Sequence, residues 1–216
     1  MIIDVFSDPI CPWCYIGKRR LEAAMERFGR TRDVTVRWRA FQLNPGMPAE
    51  GLPRDEYLAL KFGGSERAGQ IYDAVRQAGV DVGIPFAFEK IVRTPNTVQA
   101  HRLIRHSALS GRAADVVEAL FRGYFIEGSD LSEDAVLADI AGECGLDAEG
   151  VRRYLAGQEG EQEVRSEHDF AVSLNITGVP CFIVEGRYAV VGAQEPDAFG
   201  PVFDLVDEEA RTAANA

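Results

Sequence analysis

The chain has 216 residues, and 46% of them are hydrophobic, which is typical of a globular protein with a sizeable core. Its formal net charge of −11 argues against a nucleic-acid partner, because binding phosphates requires a basic surface. The sequence has no run of about 18 apolar residues and no basic, apolar or cleavage region of a secretory signal at its start, so neither a membrane span nor export is predicted.

The first predicted element is a buried strand over the apolar run from Ile2 to Phe6, and the sequence Cys11-Pro12-Trp13-Cys14 follows it. After that comes an apolar stripe at helical spacing, formed by Cys14, Gly17, Leu21, Met25 and Phe28. A strand that leads through Cys-x-x-Cys directly into a helix is typical of a thioredoxin-like redox motif.

The chemistry of each position in this motif fits a redox pair. Cys11 is predicted at the helix N-cap, where unpaired backbone N–H groups and the positive end of the helix dipole favour a thiolate over a thiol. Pro12 suits the first helical turn, since it has no N–H to leave unsatisfied. Cys14 lies one turn later on the inward stripe and is expected to be shielded. We therefore predict that Cys11 attacks and Cys14 resolves.

The alternatives for this pair are half of a zinc site and an inert structural pair. A zinc site needs four ligands, and the other cysteines, Cys144 and Cys181, form no second pair, so no metal site is predicted. Four cysteines in a chain without an export signal favour a catalytic pair in a reducing compartment, and we predict a cytoplasmic protein.

The next strand is predicted from Val34 to Phe41, where apolar and polar residues alternate as in a half-buried strand at a sheet edge. Strand, helix and strand make a βαβ unit with a right-handed crossover. From about Arg54 to Asn175 the pattern is helical. One helix is expected to open at Thr94 as its N-cap, with Pro95 in its first turn.

Strand patterns return only after Val179. A hairpin is predicted with strands at 182–184 and 188–191 around a Glu185-Gly186-Arg187 turn, and a final helix begins near Pro201. The order βαβ, helical block, ββα predicts an α/β fold in which one four-stranded mixed sheet is interrupted by an all-helical insertion.

Five segments resemble, in order, the DsbA family of thiol–disulfide oxidoreductases, most closely its FrnE subgroup. These segments are Asp8–Leu21, Phe41–Pro45, Asn96–Leu103, Gly178–Pro180 and Val191–Gln194. The resemblance implies a thioredoxin-like domain made of residues 1–45 and 176–216, with a helical insertion domain at residues 46–175. It also implies a cis-proline, Pro180, that faces Cys11, and a Val179 backbone that binds an extended substrate segment.

The same resemblance implies further substrate-binding residues. Pro12 and Trp13 would contact substrate beside Cys11. Asn44, Asn96, Thr97 and Gln194 are also candidates for the substrate groove, with helix capping and loop hydrogen bonds as their alternative role.

The expected substrates are protein or small thiols and disulfides, with glutathione as a substrate or reductant and an upstream redox partner. No cofactor is expected beyond the redox-active disulfide, and a homodimer is one possible assembly.

Two positions depart from the family pattern. The periplasmic DsbA enzymes carry His where Trp13 stands, so a weaker oxidant is expected here. The residue after Pro180 is Cys181, which is interpreted either as a small core hydrophobe or as a third redox thiol near Cys11.

Several charged side chains near the motif have two interpretations each. Asp8 could accept a proton from Cys14 or orient the loop, or it could be a solvated carboxylate or a local cap. Lys18, Arg19 and Arg20 could form a basic patch near Cys11, or simply the solvent face of the helix.

The three histidines are dispersed along the chain. His101 and His168 are expected to be satisfied, half-buried side chains rather than catalytic ones, and His106 lies on the other side of its helix. Cys144 belongs to an apolar stripe and is expected to be inert.

The function predicted from these residues is that of a thiol–disulfide oxidoreductase or isomerase. Kappa-class glutathione transferases and 2-hydroxychromene-2-carboxylate isomerases resemble the chain in the order of its elements and are the alternative. They place a serine at the attacking position and lack the second cysteine, so the presence of both Cys11 and Cys14 disfavours them. A redox-silent chaperone is the third hypothesis.

Overall fold

The sheet is built around strand β1 (Ile2–Ser7), in which every residue after Ile2 is buried. The structure, a computed structural model, describes residues 1–28 and 32–214. Helix α1 (Pro12–Phe28) leads from β1 to strand β2 (Thr35–Ala40). The two strands are parallel, with Ile2 opposite Thr35 and Ser7 opposite Ala40, as the βαβ prediction requires.

The insertion is helical apart from one short strand pair, β3 (Leu52–Pro53) with β4 (Arg93–Thr94). Its helices are α2 (Arg54–Phe62), α3 (Ser65–Asp81), α4 (Val98–Ala108), α5 (Ala113–Arg122), α6 (Asp134–Glu143), α7 (Ala148–Ala156) and α8 (Glu161–Ser173). The helical character predicted for this region is confirmed. The boundaries assigned to the two domains remain predictions.

The sheet resumes with β5 (Cys181–Val184) and β6 (Tyr188–Val191), and the chain continues into α9 (Gly200–Ala214). Strand β5 is antiparallel to both β1 and β6, so the strand order is β2-β1-β5-β6. Glu185 and Gly186 have φ angles of +52° and +65°, a left-handed pair that suits a tight hairpin. The four-stranded mixed sheet and the edge position of β2 are therefore confirmed.

Two apolar layers cover the sheet and the redox helix. One lies between the sheet and helices α1 and α9, and it contains Val5, Leu21, Phe182, Phe199 and Phe203. The other joins α1 to the insertion, where the Tyr15 ring stacks on Phe121 with centroids 4.9 Å apart. Helix α1 is thus packed on both sides. Its N-terminal turn is held where the sheet meets the insertion.

The predicted start of α4 at Thr94 is wrong. Thr94 lies in β4, opposite Leu52, and the helix begins four residues later at Val98. Asn96 makes the local turn instead, because its Oδ1 accepts a hydrogen bond from the Val98 N–H at 3.0 Å. The pairing of two segments far apart in sequence overrides the Thr-Pro start signal.

Candidate redox site

Cys11 occupies the N-cap of α1, as predicted. It directly precedes the first helical residue, and its carbonyl accepts hydrogen bonds from the N–H groups of Cys14 at 3.0 Å and Tyr15 at 3.4 Å. Its own N–H donates to the Asp8 carbonyl at 2.9 Å. A residue outside the helix whose carbonyl accepts its first hydrogen bonds places its side chain beside the free N–H groups of the first turn.

Both sulfurs of the motif are free thiols in the interior: Cys11 is 4% exposed and Cys14 is 1% exposed. Burial raises the pKa of Cys14 well above its usual value, and the adjacent Cys11 raises it further. Hydrogen bonds from the Ser7 side chain and the Asp8 backbone act in the opposite direction. Cys14 is therefore held as a thiol and requires a proton acceptor before it can react as a nucleophile.

The Val179–Pro180 segment lies against the redox helix. Its peptide bond is cis, and the Cys11 thiol donates to the Val179 carbonyl over an Sγ–O distance of 3.5 Å. A Cβ added at Gly17 would lie only 2.7 Å from Pro180 Cγ, so this approach depends on the glycine. The structure thus brings together Cys11, Cys14, Val179 and Pro180.

Two of the predicted substrate-binding residues stand at the mouth of this site. Trp13 is 39% exposed, although it lies between two buried cysteines. Pro12 opens the helix and is half-buried. A large exposed aromatic side chain next to the attacking sulfur offers a contact surface for a partner.

Asp8 has no contact with solvent, so its interpretation as a solvated carboxylate is wrong. Its Oδ2 accepts from the Leu43 N–H at 2.7 Å, its Oδ1 accepts from the Ile10 N–H at 3.3 Å, and the Thr97 side chain adds a third hydrogen bond. Burial raises the pKa of Asp8 to about 7, although these three bonds favour the carboxylate.

The other residues predicted to line the substrate groove differ in whether their hydrogen bonds lead to the redox site. Asn44 donates to the Tyr57 hydroxyl at 3.5 Å, and Thr97 reaches the site through Asp8. Asn96 is a structural residue, because its Nδ2 donates to the Met47 carbonyl at 2.7 Å while its Oδ1 caps α4. This is the capping role left open for it.

Gln194 is exposed, and its Nε2 donates to the Val191 carbonyl at 2.8 Å. Its hydrogen bonds therefore stay within its own loop, and none of them connects it to the cysteines.

The prediction that the basic run forms a solvent face is wrong for two of its members. The side chain of Lys18 is 5% exposed, and its Nζ lies 2.7 Å from Glu118 Oε2 on α5. Arg20 is 11% exposed and donates to the Ala193 carbonyl. Helix α5 covers the side of α1 that carries Lys18. These charges are compensated within the fold, so they form no basic patch.

The histidines are satisfied, as predicted, but His101 is fully rather than half buried. Its Nε2 lies 3.2 Å from the Phe41 carbonyl and donates to it, and burial lowers the pKa of His101 to about 4. His168 accepts from the Gln42 N–H through Nδ1 at 3.1 Å. Both rings thus hold the chain where it leaves β2, and His106 stacks on Tyr154 farther away.

The other cysteines are buried at 6% exposure for Cys144 and 2% for Cys181, and burial raises the pKa of each. Within residues 1–28 and 32–214, no group of three His, Cys, Asp or Glu side chains could hold a metal ion. The same residues include no helix long and apolar enough to cross a bilayer.

Two residues of the site were missed in the sequence. Ser7 lies close enough to Cys14 for its side chain to lower the pKa of that thiol, and its position at the carboxyl end of the central strand was a usable signal. Tyr57, on α2, carried no such signal. Burial raises the pKa of Tyr57, and the charges of Asp8 and Cys11 raise it further, which places the phenol near both groups.

Comparison with known proteins gives the site a family context. A family model described as a DSBA-like thioredoxin domain matches residues 2–202. The crystal structure of a probable DsbA oxidoreductase from Streptomyces coelicolor is 32% identical, with a TM-score of 0.86 over 97% of this chain and 91% of that one.

Two further similarities are more distant. The uncharacterized protein YwbO of Bacillus subtilis (strain 168) is 26% identical over 203 residues, which cover 91% of this chain and 92% of YwbO. A 2-hydroxychromene-2-carboxylate isomerase structure shares the fold at 18% identity, with a TM-score of 0.71 over 100% of this chain and 98% of that one.

Proposed function

Because the chain belongs to the family of DSBA-like thioredoxin domains, we propose that it catalyses thiol–disulfide exchange with Cys11 and Cys14 as its redox pair. The observation that carries this proposal is the asymmetry of the two sulfurs. Cys11 stands at the open N-terminus of α1 against the Val179 carbonyl, whereas Cys14 lies inside the helix as a buried thiol.

The proposed reaction has two displacement steps. In the first, the Cys11 thiolate attacks one sulfur of a substrate disulfide, which forms a mixed disulfide and releases the other substrate sulfur as a thiolate. In the second, Cys14 loses its proton and attacks the Cys11 sulfur. The Cys11–Cys14 disulfide forms, the bond to the substrate breaks, and the departing thiolate takes up a proton. The reverse sequence transfers the disulfide to a dithiol substrate.

The proposed substrates are protein or small disulfides and thiols, and Trp13 and Val179 are the proposed contacts. An extended segment would use the Val179 backbone, which is why a polypeptide fits as well as glutathione. An upstream thiol or redox protein would recycle the pair without any other cofactor. The proposed location is the cytoplasm, which agrees with the presence of four buried free cysteines in this chain.

Trapping the mixed disulfide tests the proposal directly. A Cys14→Ser variant is expected to retain substrate on Cys11, and mass spectrometry of the adduct identifies both the position and the partner. Cys11→Ser is the matched control and should form no adduct. Insulin reduction should require both cysteines. Glutathione conjugation that survives in both variants would instead assign the chain a transferase activity and overturn the proposal.

A further inference from the structure

A groove with a volume of about 520 Å³ lies on the outward face of the β5–β6 hairpin, and we call it the hairpin groove. Its floor is formed by Ile183 and Ala189, which pair across the two strands, and by Val191. Residues 174–179, which lead from α8 to Pro180, form its wall. The opposite face of the hairpin packs against α9. The volume of the groove is within the range that is typical of ligand sites.

The hairpin groove is largely apolar and open to solvent. Val191 is 61% exposed, Leu174 is 46% exposed, and Ala189 is exposed as well. Arg187 also lines the groove, but its guanidinium group lies 2.8 Å from the Glu209 carboxylate, which compensates its charge. Contiguous exposed apolar surface of this kind favours an apolar partner over a charged one.

The hairpin groove begins at the redox site. Val179 and Pro180 belong to its lining, and the Val179 carbonyl oxygen lies 3.5 Å from Cys11 Sγ. Gly192, at the end of β6, donates its N–H to the Pro180 carbonyl at 2.8 Å. An extended chain that lies in the groove therefore passes beside the attacking sulfur. A second copy of the protein seated there would cover Val179, so a substrate fits this position better.

The length of the hairpin groove distinguishes one class of substrate from another. A strand rises about 3.3 Å per residue, so the floor along β5 from Cys181 to Val184 extends about 10 Å. An extended substrate needs about three residues beyond its cysteine to cover this distance. Glutathione has a single residue on each side of its cysteine and does not reach the far end.

We propose that the hairpin groove binds extended polypeptide substrates that carry an apolar side chain about three residues from the reacting cysteine. This inference rests on the proposed function and assigns a substrate preference to the same site. The apolar side chain would lie on Ile183, Ala189 and Val191, while the backbone next to the substrate cysteine would meet Val179.

The attacking step measures this preference directly in a Cys14→Ser background. The Cys11 thiolate attacks one sulfur of a symmetric peptide disulfide; the bond between Cys11 and the peptide forms, the peptide disulfide breaks, and the other peptide leaves as a thiolate. Two peptides are compared, each with a central cysteine and with either leucine or serine at the third position on both sides. Mass spectrometry of acid-quenched samples gives the rate of adduct formation. The same peptide disulfides with reduced glutathione as the attacking thiol give the intrinsic difference, which is divided out.

The leucine peptide should form the adduct about tenfold faster than the serine peptide. This is the lower end of what a small apolar group contributes in a pocket, because the groove is open on one side. Val191→Asp places a charge on the floor and should lower this preference about tenfold, so that the two peptides react at similar rates. Ala189→Asp should act in the same direction. Val92→Asp is the matched control, since Val92 is 69% exposed and lies outside the groove, and it should keep the full preference.

Glutathione disulfide, tested in the same variants, separates the groove from the attacking sulfur. An equal fall in the rates with both peptides and with glutathione disulfide in Val191→Asp would show damage to Cys11 and overturn the inference. Equal rates for the two peptides in the Cys14→Ser background would also overturn it, although an adduct on Cys11 would still support the proposed function. Absence of every adduct would instead overturn the proposed function itself.

Two further outcomes decide against the hairpin groove. A preference for leucine that survives Val191→Asp places the apolar side chain elsewhere; should this variant fail to fold, Ala189→Asp decides in the same way. Analytical ultracentrifugation tests the other occupant. A dimer of the wild type that Val191→Asp dissociates would assign the groove to a second copy of the chain and overturn the inference.

Discussion

Gly17 is the position where one added methyl group should most clearly perturb the redox centre. It lies on α1, one turn after Cys14, and its Cα faces the Val179–Pro180 segment. A Cβ there would come within 2.7 Å of Pro180 Cγ and 3.2 Å of Phe182 Cζ. Pro180 is rigid and directly follows the residue whose carbonyl meets Cys11. The substitution Gly17→Ala therefore tests the contact between the redox helix and this segment.

The expected effect is the difference between two opposing free energies. Alanine in place of glycine stabilises a helix interior by about 1 kcal/mol, whereas an extra methyl group in a close-packed site costs about 1–3 kcal/mol. Gly17→Ala should therefore change the free energy of unfolding by between about 0 and −2 kcal/mol. Gly69→Ala on α3 is the matched control, because no atom lies within 4 Å of a Cβ there. It should gain up to about 1 kcal/mol.

Thermal unfolding of both variants measures this difference. For a chain of this length, 1 kcal/mol corresponds to about 2–4 °C in Tm, so a typical difference of ~2 kcal/mol separates the variants by about 4–8 °C. Insulin reduction by Gly17→Ala should also slow, since Pro180 must move away from α1. If Gly17→Ala proved as stable as Gly69→Ala and fully active, the close contact would not constrain the site, and the reasoning would be refuted.

Three further predictions concern buried charges. The pKa of Asp8 is about 7 in the fold against 3.8 in the unfolded chain, so the stability that this group contributes is complete below pH 3.8 and is lost as the pH rises through 7. Over that pH range the free energy of unfolding of Asp8→Asn should rise relative to the wild type by up to ~4 kcal/mol, and urea unfolding measures this difference. His101 has the opposite effect on the pH dependence of stability: its pKa falls from 6.5 to about 4, so stability is lost as the pH falls through this range. Near pH 4 the free energy of unfolding of His101→Gln should have risen relative to the wild type by up to about 3 kcal/mol. Equal pH dependence of either variant and the wild type would contradict these signs. Glu118→Gln leaves Lys18 with only one acidic partner and should lower the free energy of unfolding by about 1–2 kcal/mol in the same assay, because Glu118 is only partly buried. Glu149→Gln, at an exposed ion pair, is the control and should change it by less than about 0.5 kcal/mol. Equal losses in the two variants would show that the Lys18–Glu118 pair stabilises the fold no more than an exposed pair does.

The sheet could be predicted because its signals are local. The alternation from Val34 to Phe41 and the hairpin around Glu185 and Gly186 each follow from a few neighbouring residues. The parallel pairing of β1 with β2 follows from the length of the helix between them. The start of α4 was missed because the pairing of Thr94 with Leu52 depends on a contact across about forty residues, which no local pattern encodes.

The redox motif could also be predicted from local signals, whereas contacts with distant segments could not. The N-cap position of Cys11 follows from strand, proline and helix in sequence, and so does the inward position of Cys14. The burial of Lys18 does not, because helical spacing leaves this residue free until α5 brings Glu118 to it. Tyr57 and the buried state of Asp8 likewise depend on how the insertion packs on the sheet.

The insertion therefore does more than interrupt the thioredoxin-like sheet. It supplies Phe121 to the ring of Tyr15 and Glu118 to Lys18, both in the first two turns of α1, and it supplies Thr97 to Asp8 in the segment just before that helix. Since the sheet fixes the other side of this helix, the two sulfurs lie at a junction where a small movement of the insertion changes their surroundings unequally. The N-cap sulfur meets the Val179 carbonyl from β5's side, whereas the inner sulfur lies on the apolar face of α1 that packs against the insertion. Substitutions in the insertion should consequently alter the resolving step more than the attacking one.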